Sequence, residues 1–220
     1  RYDLTVPLAR YVATNNPPLP FRRYQIGQVF RGDNPQKGRW REFTQFDIDC
    51  VGSSSLQEDA KIIAAILTSV KAVGLKNPVM TINDRENFNK LPKEVVTALD
   101  KLDKIGEEGV ISEMEEKGIK NAKEVLEDMK TKKPTANLAT IFKFLKEMGI
   151  QDSEYEFVPT MARGLDYYTG AIFELRAPSY GSLSLGGGGR YDNLIGSFSK
   201  KDIPAVGFAI GLDRLVEALS

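Results

Sequence analysis

The segments Arg23-Tyr24-Gln25-Ile26-Gly27-Gln28-Val29-Phe30-Arg31 and Phe43-Thr44-Gln45-Phe46-Asp47-Ile48-Asp49-Cys50-Val51 indicate the fold more directly than the rest of the chain. Apolar and polar residues alternate in the first segment, and the second is a similar mixed run. Both patterns are typical of β-strands. Residues 32–42, which lie between them, are charged and rich in turn formers. We therefore predict two antiparallel strands joined by a long charged loop.

The second of these strands carries a row of polar side chains. Gln45, Asp47 and Asp49 lie two residues apart, so their side chains share one side of the sheet. Burying such a face is costly unless its polar groups find partners. A solvent-exposed face is the simpler interpretation. Arg31 at the end of the first strand and Arg39 in the loop favour an anion-binding cleft instead.

Signals for helices and strands alternate through the remaining core. Pro7 begins a helix, after what resembles the end of a strand. Ser55 and Glu58 predict a capping box for a second helix, and Gly74 predicts its end. Further strands are expected at 79–82, 155–161, 167–176, 181–185 and 204–210, followed by a helix from residue 212. These elements predict an α+β fold, in which a mainly antiparallel sheet is flanked by helices.

The middle of the chain has a different composition. Between Leu91 and Glu156 there are 11 lysines, 15 acidic residues and no arginine, so all 12 arginines lie elsewhere. Apolar stripes predict two amphipathic helices there, over Val95, Val96, Leu99, Leu102 and Ile105, and over Leu138, Ile141, Phe142, Leu145 and Met148. We predict a catalytic core at 1–90 and 155–220, interrupted by an all-helical insertion at 91–154. Arginine is the preferred residue for binding carboxylate and phosphate groups, so the location of all arginines outside the middle segment favours anion binding by the core. Compositional drift is the alternative explanation.

Composition excludes several classes of protein. The chain has no histidine, and Cys50 is its single cysteine. A catalytic triad that uses histidine and a His/Cys zinc site within this chain are therefore excluded. An internal disulfide is excluded as well, which fits a reducing compartment. No apolar run approaches the roughly 18 residues of a membrane span, and no signal-peptide pattern is found, so we expect a cytoplasmic protein without a membrane partner.

The segment Arg163-Gly164-Leu165-Asp166-Tyr167-Tyr168-Thr169-Gly170 carries a cation, a carboxylate and two phenols between apolar flanks. A segment that served packing alone would have little reason to place four polar groups where two strands meet. The pattern predicts a site for a small charged molecule with aromatic character.

Two later segments also indicate a ligand. The four glycines in Gly186-Gly187-Gly188-Gly189-Arg190-Tyr191-Asp192 let the backbone approach a ligand or a neighbouring strand, although a flexible turn is an alternative. The run is neither a P-loop nor a dinucleotide fingerprint. Residues 205–215 predict a buried strand that leads into a helix with Arg214 in its first turn. A cation there opposes the helix dipole, so a bound anion or a stacked base explains Arg214 better than helix stability does.

Taken in order, these motifs resemble the histidyl-tRNA synthetase family of class II aminoacyl-tRNA synthetases, and their residue choices resemble its archaeal or eukaryotic branch. The charged hairpin is similar to motif 2 of the family, with Arg31 as the motif arginine. Residues 165–168 and 187–194 resemble the two histidine-specific signatures, and residues 207–215 resemble motif 3. The match covers about residues 1–90 and 155–220. It implies a six- or seven-stranded antiparallel sheet with helices behind it.

The resemblance also implies an activity and a set of site residues. The activity is ATP-dependent conversion of L-histidine to histidyl-adenylate, followed by transfer to tRNA(His). The implied catalytic residues are Arg31, Arg163 and Arg214. The implied ATP-binding residues are Arg31, Arg39 and Arg214, with Mg²⁺ accompanying the nucleotide and no protein metal site. The implied histidine-binding residues are Asp3, Thr5, Gln45, Asp49, Arg163, Tyr167, Tyr168 and Tyr191.

Other expectations concern the whole protein. Motif 1 and the anticodon-binding domain of the family find no counterpart in these 220 residues, so we expect a catalytic-core fragment of a longer, homodimeric ligase. Asn193 and Asp213 stand where glycine and glutamate are common in the family. A non-catalytic regulatory or sensor domain is the first alternative, and such a domain should lose the ATP arginines or the imidazole partners. A plain α+β binding module is the second, and it requires the ordered motifs to be coincidental.

Overall fold

The computed structural model describes residues 1–162 and 167–220. Within these residues the chain forms one seven-stranded sheet. The strands are β1 (Phe21–Phe30), β2 (Glu42–Val51), β3 (Val79–Asp84), β4 (Tyr155–Phe157), β5 (Ala171–Arg176), β6 (Gly186–Arg190) and β7 (Ala205–Gly211). The helices are α1 (Thr5–Asn15), α2 (Leu56–Ala72), α3 (Lys93–Leu99), α4 (Leu102–Glu116), α5 (Ala122–Lys130), α6 (Ala136–Glu147) and α7 (Leu212–Leu219).

The strands lie in the order β1-β2-β7-β6-β5-β3-β4. Neighbouring strands are antiparallel except for β3 and β4, which are parallel. The predicted α+β fold with a mainly antiparallel sheet is therefore confirmed. The charged hairpin is confirmed as well, because β1 and β2 pair along their whole length, from Phe21 opposite Val51 to Phe30 opposite Glu42.

Each face of the sheet supports its own hydrophobic cluster. Helices α2, α6 and α7 cover one face, where Ile63 of α2 and Leu145 of α6 belong to the same cluster as Phe173 and Phe208 of the strands. On the other face, α1 packs with residues of α3, α4 and α5 around Ile172. Because α1 covers only part of this second face, the sheet centre stays open there, and the candidate site lies in that opening.

Helix boundaries agree only partly with the sequence patterns. Ser55 is the N-cap of α2 as expected, but its side chain accepts from the Gln57 backbone N–H, while Glu58 pairs with Arg22 and Lys61. The predicted capping box is therefore wrong, because two cations outcompete the backbone for the Glu58 carboxylate.

The first predicted helix of the middle segment is also different in the structure. The stripe from Val95 to Ile105 is divided between α3 and α4, and Ile105 is exposed. Gly106 has a φ of 70° and breaks the path of α4. The second stripe, over Leu138 to Met148, is confirmed as α6, which packs on α2 and joins the main core.

The glycine run forms a strand rather than a turn. A strand was expected at 181–185, but the structure has β6 at Gly186–Arg190, between β5 and β7. Glycine has a low strand propensity, which hid this strand from the sequence pattern. Close approach explains the glycines, since a Cβ on Gly188 would lie 2.1 Å from the Gly207 carbonyl oxygen and 2.7 Å from the Phe208 Cα.

We predict that Gly188→Ala destabilises the protein by about 3 kcal/mol or more, because backbone atoms of β7 cannot move aside for the new methyl group. Gly32→Ala is the matched control, since nothing lies within 4 Å of a Cβ at that position. Urea unfolding monitored by circular dichroism gives both values. Equal stability of the two variants would contradict the close packing of β6 on β7.

Candidate active site

One cavity opens on the sheet face opposite α2. Its lining includes every predicted site residue that the structure describes: Asp3, Thr5, Arg31, Arg39, Gln45, Asp49, Tyr167, Tyr168, Tyr191 and Arg214. These residues come from the start of α1, the β1–β2 hairpin, the segment before β5, the end of β6 and the first turn of α7. Arg163, the remaining predicted residue, lies outside the described residues.

The floor of the cavity follows from the strand register. Gln45, Asp47 and Asp49 of β2 stand directly opposite Gly211, Ala209 and Gly207 of β7. The polar row therefore borders a strip with almost no side chains. A Cβ on Gly207 would lie 2.0 Å from Asp49 Oδ1, so glycine is required there for the carboxylate to occupy its position. Such a floor leaves room for a flat ligand beside a row of hydrogen-bonding groups.

The polar row is buried, which excludes the simpler interpretation of a solvent-exposed face. Gln45, Asp47 and Asp49 are each no more than 5% exposed. Gln45 links the row internally, because its Nε2 donates to Asp47 Oδ1 at 3.1 Å while its Oε1 accepts from Arg31.

Both oxygens of Asp49 are engaged by protein groups. Tyr191 donates its hydroxyl to Oδ1 at 2.5 Å, and the Arg23 guanidinium pairs with Oδ2 at 2.9 Å. Burial raises the pKa of Asp49, and the arginine and the tyrosine oppose that rise. Each carboxylate oxygen accepts more than one hydrogen bond, so Asp49 can still receive a donor from a molecule in the cavity.

Asp47 lies two residues before Asp49 on the same face of β2, but it does not line the cavity. Burial, and then the charge of Asp49, raises the pKa of Asp47 to about 7, against an ordinary value of 3.8. Arg23 opposes the rise from 4.0 Å, whereas Asp3 adds to it. Three acidic side chains therefore crowd this end of the cavity, and a cationic group of a ligand would be favoured there.

Arg31 stands at the opposite end of the polar row. Its guanidinium donates to the Tyr2 carbonyl at 3.2 Å and to Gln45 Oε1 at 3.1 Å. The same group lies over the rings of Tyr2 and Phe43, at 4.7 and 5.0 Å from their centroids. These contacts fix the plane of the guanidinium at the cavity wall, where it can meet an oxyanion.

Arg214 and Arg39 line the cavity from the side of the hairpin loop. Arg214 donates to the carbonyls of Gly38 and Ser184 at 2.7 and 2.8 Å, which connects α7 to that loop and to the segment before β6. Arg39 forms a looser pair with Asp33 at 3.8 Å. The two arginines therefore occupy a common wall of the cavity, and carbonyl contacts hold Arg214 there.

Aromatic rings line the end of the cavity that contains Asp49. Tyr167 packs edge-on against Tyr168 and Tyr191, with centroid distances of 4.8 and 6.1 Å. Burial raises the pKa of both Tyr167 and Tyr191, so their hydroxyls remain protonated donors at neutral pH. At the start of α1, Asp3 accepts from the Val6 backbone N–H at 3.0 Å, which orients its carboxylate.

Sequence reasoning missed Arg23. It is directly opposite Asp49 in the β1–β2 register, and it lies on the same face as Gln45 and Asp47. Counting back from Arg31 in steps of two reaches Arg23, so the alternation of β1 contained the signal once the hairpin register was known. Arg23 does not line the cavity but supports a residue that does.

Metal and membrane features are absent from the part of the chain that the structure describes. Residues 1–162 and 167–220 contain no group of three His, Cys, Asp or Glu side chains that could hold a metal ion. No helix among these residues is both long and apolar enough to cross a membrane.

Solved structures share this fold. A histidyl-tRNA synthetase from Nostoc sp. PCC 7120 superposes with a TM-score of 0.84 at 31% identity, covering 100% of this chain and 59% of that one. A Bacillus halodurans protein, titled an ATP phosphoribosyltransferase regulatory subunit/histidyl-tRNA synthetase, has a TM-score of 0.81 at 23% identity, covering 100% and 64%. The seven-stranded sheet and the cavity on its open face place the chain in the class II aminoacyl-tRNA synthetase fold.

Sequence comparison narrows this class to one family. A protein-family model for histidyl-tRNA synthetases matches residues 1–107 and 89–215 of the chain, so the chain belongs to that family. Histidine–tRNA ligases of Christiangramia forsetii and Aeropyrum pernix are each 42% identical to it, over 98% and 99% of this chain. The chain spans 55% and 57% of the lengths of these two relatives.

We predict that Asp47→Asn stabilises the protein at alkaline pH. Between about pH 4 and 7 the folded state keeps a proton on Asp47 that the unfolded state releases, so the wild type loses stability as the pH rises through this window. Asp47→Asn has no carboxyl group at this position and therefore lacks this pH-dependent loss of stability. Its advantage should be near zero at about pH 4 and should reach up to about 4 kcal/mol at about pH 8.

Urea unfolding at several pH values measures this difference. Glu116→Gln, on the exposed side of α4, is the control, because it removes an exposed carboxylate instead of a buried one. An Asp47→Asn advantage that does not grow with pH would contradict the assigned titration.

Proposed function

We propose that the whole protein is a histidine–tRNA ligase, which activates L-histidine with ATP and transfers it to tRNA(His). The observation that carries this proposal is the convergence of ten predicted site residues on one cavity. Residues from five separate parts of the chain line it, so chance proximity within a single motif does not account for the arrangement.

The amino acid is proposed to bind at the acidic end. Asp3, Thr5 and Gln45 would receive its α-ammonium group, whose positive charge offsets the crowded carboxylates. Asp49 and Tyr168 would contact the imidazole nitrogens, and Tyr167 and Tyr191 would close the pocket. An imidazole has a nitrogen at each of two edges, so a carboxylate and a phenol together suit it. A pocket of hydrogen-bonding groups rejects analogues that leave those groups unpaired.

ATP is proposed to bind along the glycine floor and the arginine wall. Arg31 would hold the α-phosphate, and Arg39 and Arg214 would contact the distal phosphates and the adenine. Arg163 is assigned to the α-phosphate and the substrate carboxylate through the family resemblance. Mg²⁺ would accompany the nucleotide and neutralise phosphate charge.

The proposed chemistry needs no histidine side chain. A carboxylate oxygen of the bound amino acid attacks the α-phosphorus, the bond to the bridging oxygen breaks, and pyrophosphate leaves. Arginines that face the reacting phosphate stabilise its developing charge, and fixed side chains hold the two reactants in line. A terminal hydroxyl of the tRNA then displaces AMP from the adenylate and forms the ester.

Other features of the whole protein are also proposals. Residues 91–154 are proposed as an insertion between the two parts of the catalytic core, and a homodimer in the cytoplasm is proposed for the complete ligase. The archaeal or eukaryotic character of the motifs remains a prediction. Bacterial relatives are as similar as archaeal ones, since the ligases of Christiangramia forsetii and Aeropyrum pernix are both 42% identical to this chain.

A regulatory role is the main alternative to catalysis. The Bacillus halodurans structure, whose title includes a regulatory subunit, shares the fold at 23% identity. Fold alone therefore does not separate the two functions. The arginines at one end of the cavity and Asp49 and Tyr168 at the other favour the enzyme, since a regulatory domain has no need of both sets.

We predict that the whole protein catalyses histidine-dependent exchange between ATP and pyrophosphate, and that Arg163→Ala abolishes it, because the α-phosphate loses a stabilising cation. Arg10→Ala, which removes an exposed arginine of α1, is the control and should retain full exchange. No exchange by the wild type would refute the proposed function, whereas full exchange by Arg163→Ala would refute only the role of that arginine.

We predict that Asp49→Asn weakens histidine binding at least about tenfold, because a charged acceptor is lost, and changes ATP binding little. Calorimetry with each ligand separately measures both affinities. Asp152→Asn, at an exposed position near α6, is the control. Equal losses for histidine and ATP would argue against an imidazole contact at Asp49.

A further inference from the structure

Arg23 is a buried cation directly behind the acidic end of the cavity. Its side chain is 10% exposed, and the carboxylates of Asp47 and Asp49 beside it are 2% and 3% exposed. Its Nη2 lies 2.9 Å from Asp49 Oδ2 and 4.0 Å from Asp47 Oδ2. Its Nη1 contacts the Gln25 side chain, which stands opposite Asp47 in the β-hairpin.

The same guanidinium also contacts the other half of the proposed amino-acid pocket. Its Nη2 donates to the Leu4 carbonyl at 3.0 Å. Leu4 is fully buried and lies between Asp3 and Thr5, which are proposed to receive the α-ammonium group. One side chain of β1 therefore connects the strand that carries Asp49 to the segment that begins α1.

Arg23 also affects the ionisation of Asp49 through its positive charge. Burial raises the pKa of Asp49, the charge of Asp3 raises it further, and the largest opposing influence is Arg23. Tyr191 also opposes the rise through its hydroxyl, and Asp47 stands next to Asp49 on the same strand. Without Arg23, the buried carboxylates of Asp47 and Asp49 would lie side by side without the cation that stands beside both of them. Protonation of one carboxylate would then relieve their repulsion.

We propose that Arg23 is a positioning residue for amino-acid recognition, which pairs with the Asp49 carboxylate, orients it and fixes the Asp3–Thr5 segment against it. This inference rests on the proposed function, because it assigns Arg23 to the histidine half of that site. Arg23 does not line the cavity, and the carboxylates beside it belong to the acidic end, so its effect should fall on histidine rather than on ATP.

The test compares Arg23→Met with Arg22→Met in the whole protein. Arg22 is the adjacent arginine, but it faces α2, pairs with Glu58 and is 53% exposed. We expect Arg23→Met to raise the KM for histidine roughly 30-fold or more in pyrophosphate exchange, as for loss of one partner of a buried charge pair. The KM for ATP should change less than about threefold, and Arg22→Met should leave both constants unchanged.

Arg23→Lys separates charge from shape. Lysine keeps the positive charge but cannot reach Asp49, Gln25 and Leu4 together, so its KM for histidine should lie between those of the wild type and Arg23→Met. If circular dichroism shows that Arg23→Met does not fold, Arg23→Lys decides the question alone. A rise in the KM for histidine without a rise for ATP then supports the proposal, and any other result overturns it.

The pH profile gives a readout that a purely structural role would not change. As the pH is lowered, histidine binding to Arg23→Met should begin to weaken at a higher pH than binding to the wild type, because Asp49 takes up a proton more readily without the arginine. Titration of the substrate imidazole is common to both proteins and cancels in the comparison. An unshifted profile, or equal increases in both KM values, would overturn the role of Arg23. A wild type without histidine-dependent exchange would instead refute the proposed function.

Discussion

Asp47 and Asp49 are buried side by side on β2, and the structure around them compensates for that negative charge. Burying a carboxylate is costly unless cations and donors replace the lost water. Arg23 supplies the cation, and Tyr191 and Gln45 supply donors. The compensation is incomplete, because burial still raises the pKa of both carboxyl groups. Because both carboxyl groups take up protons more readily than in water, a cationic group of a ligand in the cavity would stabilise their ionised forms.

Much of the fold could be predicted because its strongest patterns are local. The β1–β2 hairpin, α2 and α6 follow from alternation or from helical stripes, and the structure confirms them. The glycine strand β6 could not be found in this way, since glycine carries no side chain from which a period can be read. Its strand conformation is imposed by pairing with β5 and β7 on either side. The capping box at Ser55 failed for a similar reason, because Arg22, distant in sequence, takes the Glu58 carboxylate.

The site was predictable to the extent that its residues belong to recognisable motifs. Those motifs named the residues that face the cavity, and every one in the described part of the chain lines it. They did not name Arg23, which lies behind the cavity and has no motif of its own. Nor did the sequence show that Gln45, Asp47 and Asp49 are buried, since burial depends on parts of the chain distant in sequence, such as the neighbouring strand β7. Supporting residues are set by register and packing, which a single sequence specifies only indirectly.

The floor of small residues has a consequence for how this site can change. Gly207, Ala209 and Gly211 present almost nothing but main chain to the cavity, so any substitution of the two glycines adds bulk. At Gly207 the added atom would fall on the Asp49 carboxylate itself. Variation in ligand preference is therefore confined to the rim, where side chains can be exchanged, while the platform beneath stays constant. The same platform can thus serve different ligands through changes at its border alone.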